Sequence, residues 1–155
     1  MSLQATIAKL LLKLPASWKV KMAGGEPVVL GGRTLDPNFQ FLALGAASQP
    51  PMSSLEPEIA QAAAIEGLAM FAAKPEAGVS WEDTTIPGQG THQLPVRIYR
   101  PAQQDPKAPM LAYWHMGGGV ILDIEACHAF CTMVSKIAQC PVVSVDYRLA
   151  PQHKF

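Results

Sequence analysis

Apolar positions follow two different periods along this chain, and the change falls near residue 75. Before it they recur every three or four residues. Leu3, Ile7, Leu10 and Leu14 share one helical stripe, which predicts an amphipathic helix that Pro15 stops. Lys9 and Lys13 interrupt the run, so it lacks the unbroken apolar core of a signal peptide. A short helical stretch is expected over Trp18 to Met22. Gly24-Gly25 and Gly31-Gly32 bracket Pro27-Val28-Val29-Leu30 as a loop or a short extended piece. Asp36 followed by Pro37 predicts a capped helix to about Ala47, with Phe39, Leu42 and Ala46 on its apolar face. Gln49-Pro50-Pro51 is a break. Glu56-Pro57-Glu58 then opens a helix carrying Ile59, Ala63, Leu68 and Phe71 to about Ala73.

After residue 75 the pattern is that of strands. Val79 to Ile86 and His92 to Tyr99 read as a hairpin around Pro87-Gly88-Gln89-Gly90, with Leu94, Val96 and Ile98 opposed to Arg97 and Arg100. Met110 to Trp114 is nearly all apolar, as expected of a strand buried on both faces. A glycine loop follows. Glu125 to Ala138 predicts a helix with Phe130, Met133, Val134 and Ile137 inward, and Pro141 to Val145 a second buried strand. Strand, loop, helix and strand in this order predict a βαβ unit with parallel strands, hence an α/β fold. The expected organisation is a helical region over 1–75 and a sheet domain over 76–155.

Composition narrows the function. The chain has 155 residues, of which 49% are hydrophobic and 15% charged, the range of a globular domain with a real core. Twelve basic residues balance twelve acidic ones, so overall charge gives no case for nucleic acid, an acidic membrane surface or a polyanionic substrate. No run is long enough for stable membrane insertion. Three cysteines are odd in number and too few for a disulfide framework, which fits reduced thiols and a cytoplasmic setting.

The chemistry lies in the glycine loop. It follows an apolar strand at the edge of the sheet where α/β folds bind ligands. Consecutive glycines let backbone N–H groups approach a ligand, and such donors stabilise a carbonyl oxygen as it becomes an oxyanion. Tyr113-Trp114-His115-Met116-Gly117-Gly118-Gly119 resembles the H-G-G-G oxyanion segment of α/β-hydrolases. Val143-Ser144-Val145-Asp146-Tyr147-Arg148-Leu149-Ala150-Pro151 resembles the strand exit of the hormone-sensitive-lipase branch, the bacterial esterases. The helical region, with Leu35-Asp36-Pro37 and Pro50-Pro51-Met52-Ser53, is similar in kind to that branch's cap.

The resemblance implies a carboxylic-ester hydrolase acting on small-molecule esters with small or medium acyl groups, with no cofactor and no metal. It also implies that the amides of Gly117 and Gly118 are the oxyanion donors, supported by His115, Met116 and Gly119. A one-residue shift would make the donors Gly118 and Gly119. Met116 and Leu122 stand where the family has or often has glycine. The branch also needs a G-x-S-x-G nucleophile elbow, then an acid and a histidine. Gly78-Val79-Ser80-Trp81-Glu82 fails that pattern, so nucleophile, acid and base are expected to be absent, with Phe155 just ahead of the elbow. The chain alone is then expected to be inactive: a truncated or degenerate remnant, or one half of a two-chain enzyme. Lacking later strands, its sheet would leave edges that invite aggregation.

Other residues read more plainly. The glycine loop ends in Leu122 and so fails the dinucleotide pattern G-x-G-x-x-G. Cys127, His128 and Cys131 lack further metal ligands at convincing spacing, and buried thiols are preferred. His92 and His153 read as surface residues. Asp146 reads as structural, with Arg148 bracing nearby backbone or carboxylates. The first helix, with Lys9, Lys13, Trp18, Lys19 and Lys21, reads as a cap helix in preference to a membrane-surface one. Phe39, Phe41, Leu42 and Met52 would then line the acyl or alcohol pocket.

Overall fold

The computed structural model describes residues 3–154, with side chains from Thr6 onward; the Leu3 side chain and Phe155 lie outside these. Contacts divide the chain into two units, 1–56 and 57–155. The division falls before the helix that the sequence pattern groups with the cap.

In the first unit, α1 spans Leu3–Leu11 and α2 spans Ala16–Met22. Pro15, which cannot continue α1, stands at the N-cap of α2. The segment expected to be loop or extended folds back as a small hairpin, with β1 (Val29–Leu30) paired to β2 (Arg33–Thr34). Gly31 and Gly32 turn it, both at positive φ, as a two-residue hairpin turn requires. Helix α3, Pro37–Ala47, begins as expected: Pro37 occupies the first turn, and Asp36 accepts a 2.8 Å hydrogen bond from the Asn38 amide.

The face of α3 differs from the expected one. Phe39 is exposed, Leu42 half-buried, and the buried residue is Gln40. The physical reason is backbone demand. Gln40 Nε2 donates to the carbonyls of Ala23 and Glu26 at 3.1 and 2.8 Å, and its Oε1 accepts from the Val28 amide at 3.1 Å. One amide side chain thereby satisfies three loop groups that would otherwise be unpaired.

The second unit opens with α4, Pro57–Phe71. Its buried residues are Ala60 and Ala64, while Ile59 and Phe71 are exposed. Strands β3 (Val79–Pro87) and β4 (Gln93–Pro101) form the expected antiparallel pair, from Val79 opposite Pro101 to Pro87 opposite Gln93. Strands β5 (Leu111–Trp114) and β6 (Val142–Val145) run parallel, with helix α5 (His128–Ala138) between them in sequence. The sheet order is β3-β4-β6-β5.

That order explains which strands are buried. β6 lies between β4 and β5, and Val142, Ser144 and Val145 are buried as expected. β5 is an edge, and it is not buried on both faces: Trp114 is 61% exposed and Met110, just before it, 65%. Inner β4 buries residues of both faces, Val96 on one and Arg97 with Tyr99 on the other. Arg100 does not share a face with Arg97. It pairs with Glu82 at 2.6 Å, on the side of Val96 and Ile98.

Helix α5 turns a different face inward from the one its apolar spacing predicts. Cys131, Thr132 and Ser135 are buried and Val134 packs partly against the core, while Phe130, Met133 and Ile137 are exposed. The core is small: Val79, Tyr99, Cys127, Cys131 and Val142, flanked by Tyr113, Ala126 and Val134. Small residues on the inner face let α5 lie close to the sheet, which leaves its larger apolar residues outward.

Candidate active site

The glycine loop begins where β5 ends. His115, the first residue past the strand, is 3% exposed. Its Nδ1 donates to the Met116 carbonyl at 2.8 Å, which fixes the proton on that nitrogen in the neutral ring. The ring stacks on Tyr147 with centroids 4.1 Å apart and planes 9° from parallel. The Tyr147 hydroxyl donates to the His115 carbonyl at 2.6 Å. The exit of β6 therefore clamps the exit of β5 at the residue that opens the loop.

Three glycines follow, each at positive φ: Gly117 at 128°, Gly118 at 64° and Gly119 at 73°. Gly117 is the tightest. A Cβ built there would lie 2.0 Å from the Ile121 carbonyl oxygen. That closeness arises because the Gly117 carbonyl accepts from the amides of Val120 and Ile121 at 3.1 and 3.2 Å, closing a turn. Gly118 and Gly119 face open space. Among the described residues the amides of all three glycines donate to no protein acceptor. Met116 is exposed, and Leu122, where a glycine was the family expectation, is buried at a φ of 72°.

Two further ties hold the loop. The Ala150 amide donates to the Gly119 carbonyl at 2.8 Å. Gln61 on α4 donates from Nε2 to the carbonyls of Val120 and Ala150 at 2.9 and 3.2 Å. Neither was legible as functional. Gln61 is an ordinary polar residue on a helix, and nothing in its spacing marks it. Tyr147 lay inside the stretch that carried the family resemblance, but its partners are carbonyl and ring of a residue 32 positions away. Asp146 is structural in its contacts: its Oδ1 accepts from the Ile124 amide at 3.2 Å, and its amide donates to Pro95. The bracing expected of Arg148 belongs to these neighbours. Arg148 is exposed and makes no side-chain hydrogen bond among the described residues.

A second polar cluster lies away from the loop. Arg97 holds Asp83 at 2.6 and 2.9 Å and Glu125 at 2.7 Å. The guanidinium keeps both carboxyls below their ordinary range, acting first through these hydrogen bonds. His128 Nδ1 faces two donors, Arg97 Nη1 at 3.2 Å and the Tyr99 hydroxyl at 3.0 Å. Burial, then the Arg97 charge, holds His128 neutral to lower pH than usual. That ring nitrogen is thus already committed. Cys127 accepts from the Tyr113 hydroxyl at 3.2 Å, and burial pushes the Cys131 thiol up to about 11. These are the properties of packed thiols and not of metal ligands.

The remaining candidates stay apart. No serine hydroxyl bonds a histidine among the described residues; Ser80 donates weakly to Arg100 at 3.4 Å and Ser135 to Cys140 at 2.9 Å. His153 is exposed as expected. His92 is half-buried instead, because its carbonyl accepts from the Gly88 amide at 2.8 Å and closes the β3–β4 turn. A cleft of about 230 Å³ lies between α4 and the start of α5, walled by Ile65, Leu68, Leu122 and His128. Leu122 at the end of the glycine loop lines it, but none of the three glycines does.

Residues 111–155 match the family profile of the alpha/beta hydrolase fold. The ester hydrolase from the metagenome of Lake Arreo, solved with a bipyridine phosphonate derivative, superposes with a TM-score of 0.64 at 29% identity, covering 73% of this chain and 36% of that one. The chain carries the N-terminal portion of an α/β-hydrolase fold. The carboxylic ester hydrolase LipN of Mycobacterium tuberculosis is 31% identical over 148 residues, 94% of this chain and 39% of LipN. The ethyl acetate hydrolase of Pseudomonas putida is 36% identical over 107 residues, 68% of this chain and 34% of that enzyme. The chain therefore spans well under half the length of these relatives. Among its described residues no helix is long and apolar enough to cross a membrane.

Proposed function

We propose that residues 115–119 are the oxyanion-stabilising part of a serine esterase site of the hormone-sensitive-lipase type. The observation that carries this reading is the set of unpaired glycine amides at the exit of β5. Gly117 and Gly118 are the donors, with His115, Met116 and Gly119 as support. The substrate is a small-molecule carboxylic ester with a small or medium acyl group, in a cytoplasmic setting that the buried free cysteines favour.

The chemistry is two-step acyl transfer. A serine attacks the ester carbonyl, and the developing negative oxygen meets the preorganised amides. One such donor is worth about 3 kcal/mol of barrier, judged by its removal in other enzymes. The clamp of Tyr147 on His115 and the tether from Gln61 keep the donors from relaxing toward water. That rigidity matters because the donors must be in place before the charge develops.

These 155 residues contain no G-x-S-x-G sequence and so supply no nucleophile elbow. The chain alone accordingly provides donors without attack. Purified chain is expected to hydrolyse a short-chain nitrophenyl ester no faster than its Gly118→Trp variant. Turnover clearly above that control contradicts the reading.

A further inference from the structure

Among the described residues of the first unit the two buried side chains are polar, while several large apolar ones are exposed. Lys19 is buried, its ammonium donating to the Leu12 carbonyl at 3.1 Å and to Asn38 Oδ1. Gln40 is buried beside the loop it satisfies. The outward side chains are Ile7 and Leu10 of α1, Trp18 and Met22 of α2, and Leu30 at the β1–β2 turn. Trp18 is 62% exposed and Leu10 59%. Ile7 and Leu10 are one turn apart on α1, as are Trp18 and Met22 on α2, so each pair forms a stripe.

Charge stands beside these stripes. Lys13 lies three residues beyond Leu10, and Lys21 three beyond Trp18, both exposed. Of the lysines in the first 25 residues, Lys13 and Lys21 are exposed while Lys19 is buried and bonded within the unit, and no acidic residue falls in that stretch. The zero net charge of the whole chain conceals this, because the acids concentrate in the second unit.

In place of the cap reading of this segment, we propose that the first unit docks peripherally on an anionic lipid surface through α1 and α2. An apolar stripe with a tryptophan, edged by lysines, fits the headgroup boundary of a bilayer: ring and aliphatic groups enter the acyl region while ammonium groups meet phosphates. The charge complementarity selects lipid with net negative headgroups. The absence of acids from the same stretch removes the repulsion that would oppose it.

The test is flotation of the full chain with vesicles of phosphatidylcholine alone and of phosphatidylcholine mixed with phosphatidylglycerol. Flotation is expected with the mixed vesicles and not with the neutral ones. A Leu10→Ser/Trp18→Ser double variant is expected to remain in solution. Lys13→Gln/Lys21→Gln is expected to bind mixed vesicles roughly 25-fold more weakly, about fivefold for each lysine. Ile137→Ser, in the second unit and also highly exposed, is expected to float as the parent does. All substituted side chains are exposed, so circular dichroism should be unchanged. Failure of the parent to float with mixed vesicles overturns the proposal. So does equal flotation of the lysine variant. Self-association that Leu10→Ser/Trp18→Ser abolishes, without any flotation, would identify the occupant as a second copy of the chain and also overturn it.

Discussion

Gly117 accepts no side chain in this loop. At a φ of 128° an L-residue is strained, and its Cβ would sit 2.0 Å from the Ile121 oxygen, a main-chain atom that cannot swing away. Gly117→Ala is expected to destabilise the second unit by roughly 2 kcal/mol, in the range known for such backbone strain. Gly118→Ala meets no atom within 4 Å and has only its φ of 64° to overcome. Denaturant unfolding of the two variants should rank them in that order. The cap at Asp36 and Pro37 was legible in sequence because its partner is two residues away. Arg97 was not, because its partners lie 14, 28 and 31 residues away on β3 and around the start of α5. Its burial is a property of the assembled sheet.

The Arg97 cluster gives stability a definite pH sign. Asp83 and Glu125 are held below their ordinary range by Arg97, and His128 below its own by burial. All three bind protons more readily in the unfolded chain, so stability falls as pH falls. The His128 part begins to go below about pH 6.5, where the unfolded imidazole protonates, and the carboxylate part below about pH 4.5. Thermal midpoints should therefore drop in two stages on acidification, and His128→Gln should remove only the first. A midpoint that rises between pH 7 and pH 5 contradicts the assignment.

At the scale of elements, periodicity located helices and strands well and their facing poorly. The α5 spacing suggested an inward stripe of Phe130, Met133, Val134 and Ile137, yet α5 buries Cys131, Thr132 and Ser135. Close helix-on-sheet packing favours small residues, and hydrophobic patterning does not register size. The β5 strand failed for another reason. An all-apolar run is compatible with burial on both faces, but only neighbours supply it, and among the described residues β5 has a partner strand on one side alone. With Met110 and Trp114 exposed along that edge, the chain is expected to self-associate at micromolar concentration. Trp114→Lys should shift sedimentation toward monomer; an unchanged profile would show that the edge does not drive association.

At the scale of the molecule, the loop, its clamp and its tether all belong to the second unit, 57–155. The glycine loop was readable in the sequence because three glycines after an apolar strand are a local pattern. What holds it was not, since Gln61 and Tyr147 reach it from 59 and 32 residues away. The central claim is that this loop donates to an oxyanion when a serine is supplied. The direct measurement replaces the matched stretch of LipN with this chain and follows nitrophenyl butyrate hydrolysis by the folded chimera. The account predicts esterase turnover whose kcat falls about 10²–10³-fold on Gly118→Trp. A folded chimera without turnover, or one indifferent to Gly118→Trp, contradicts it.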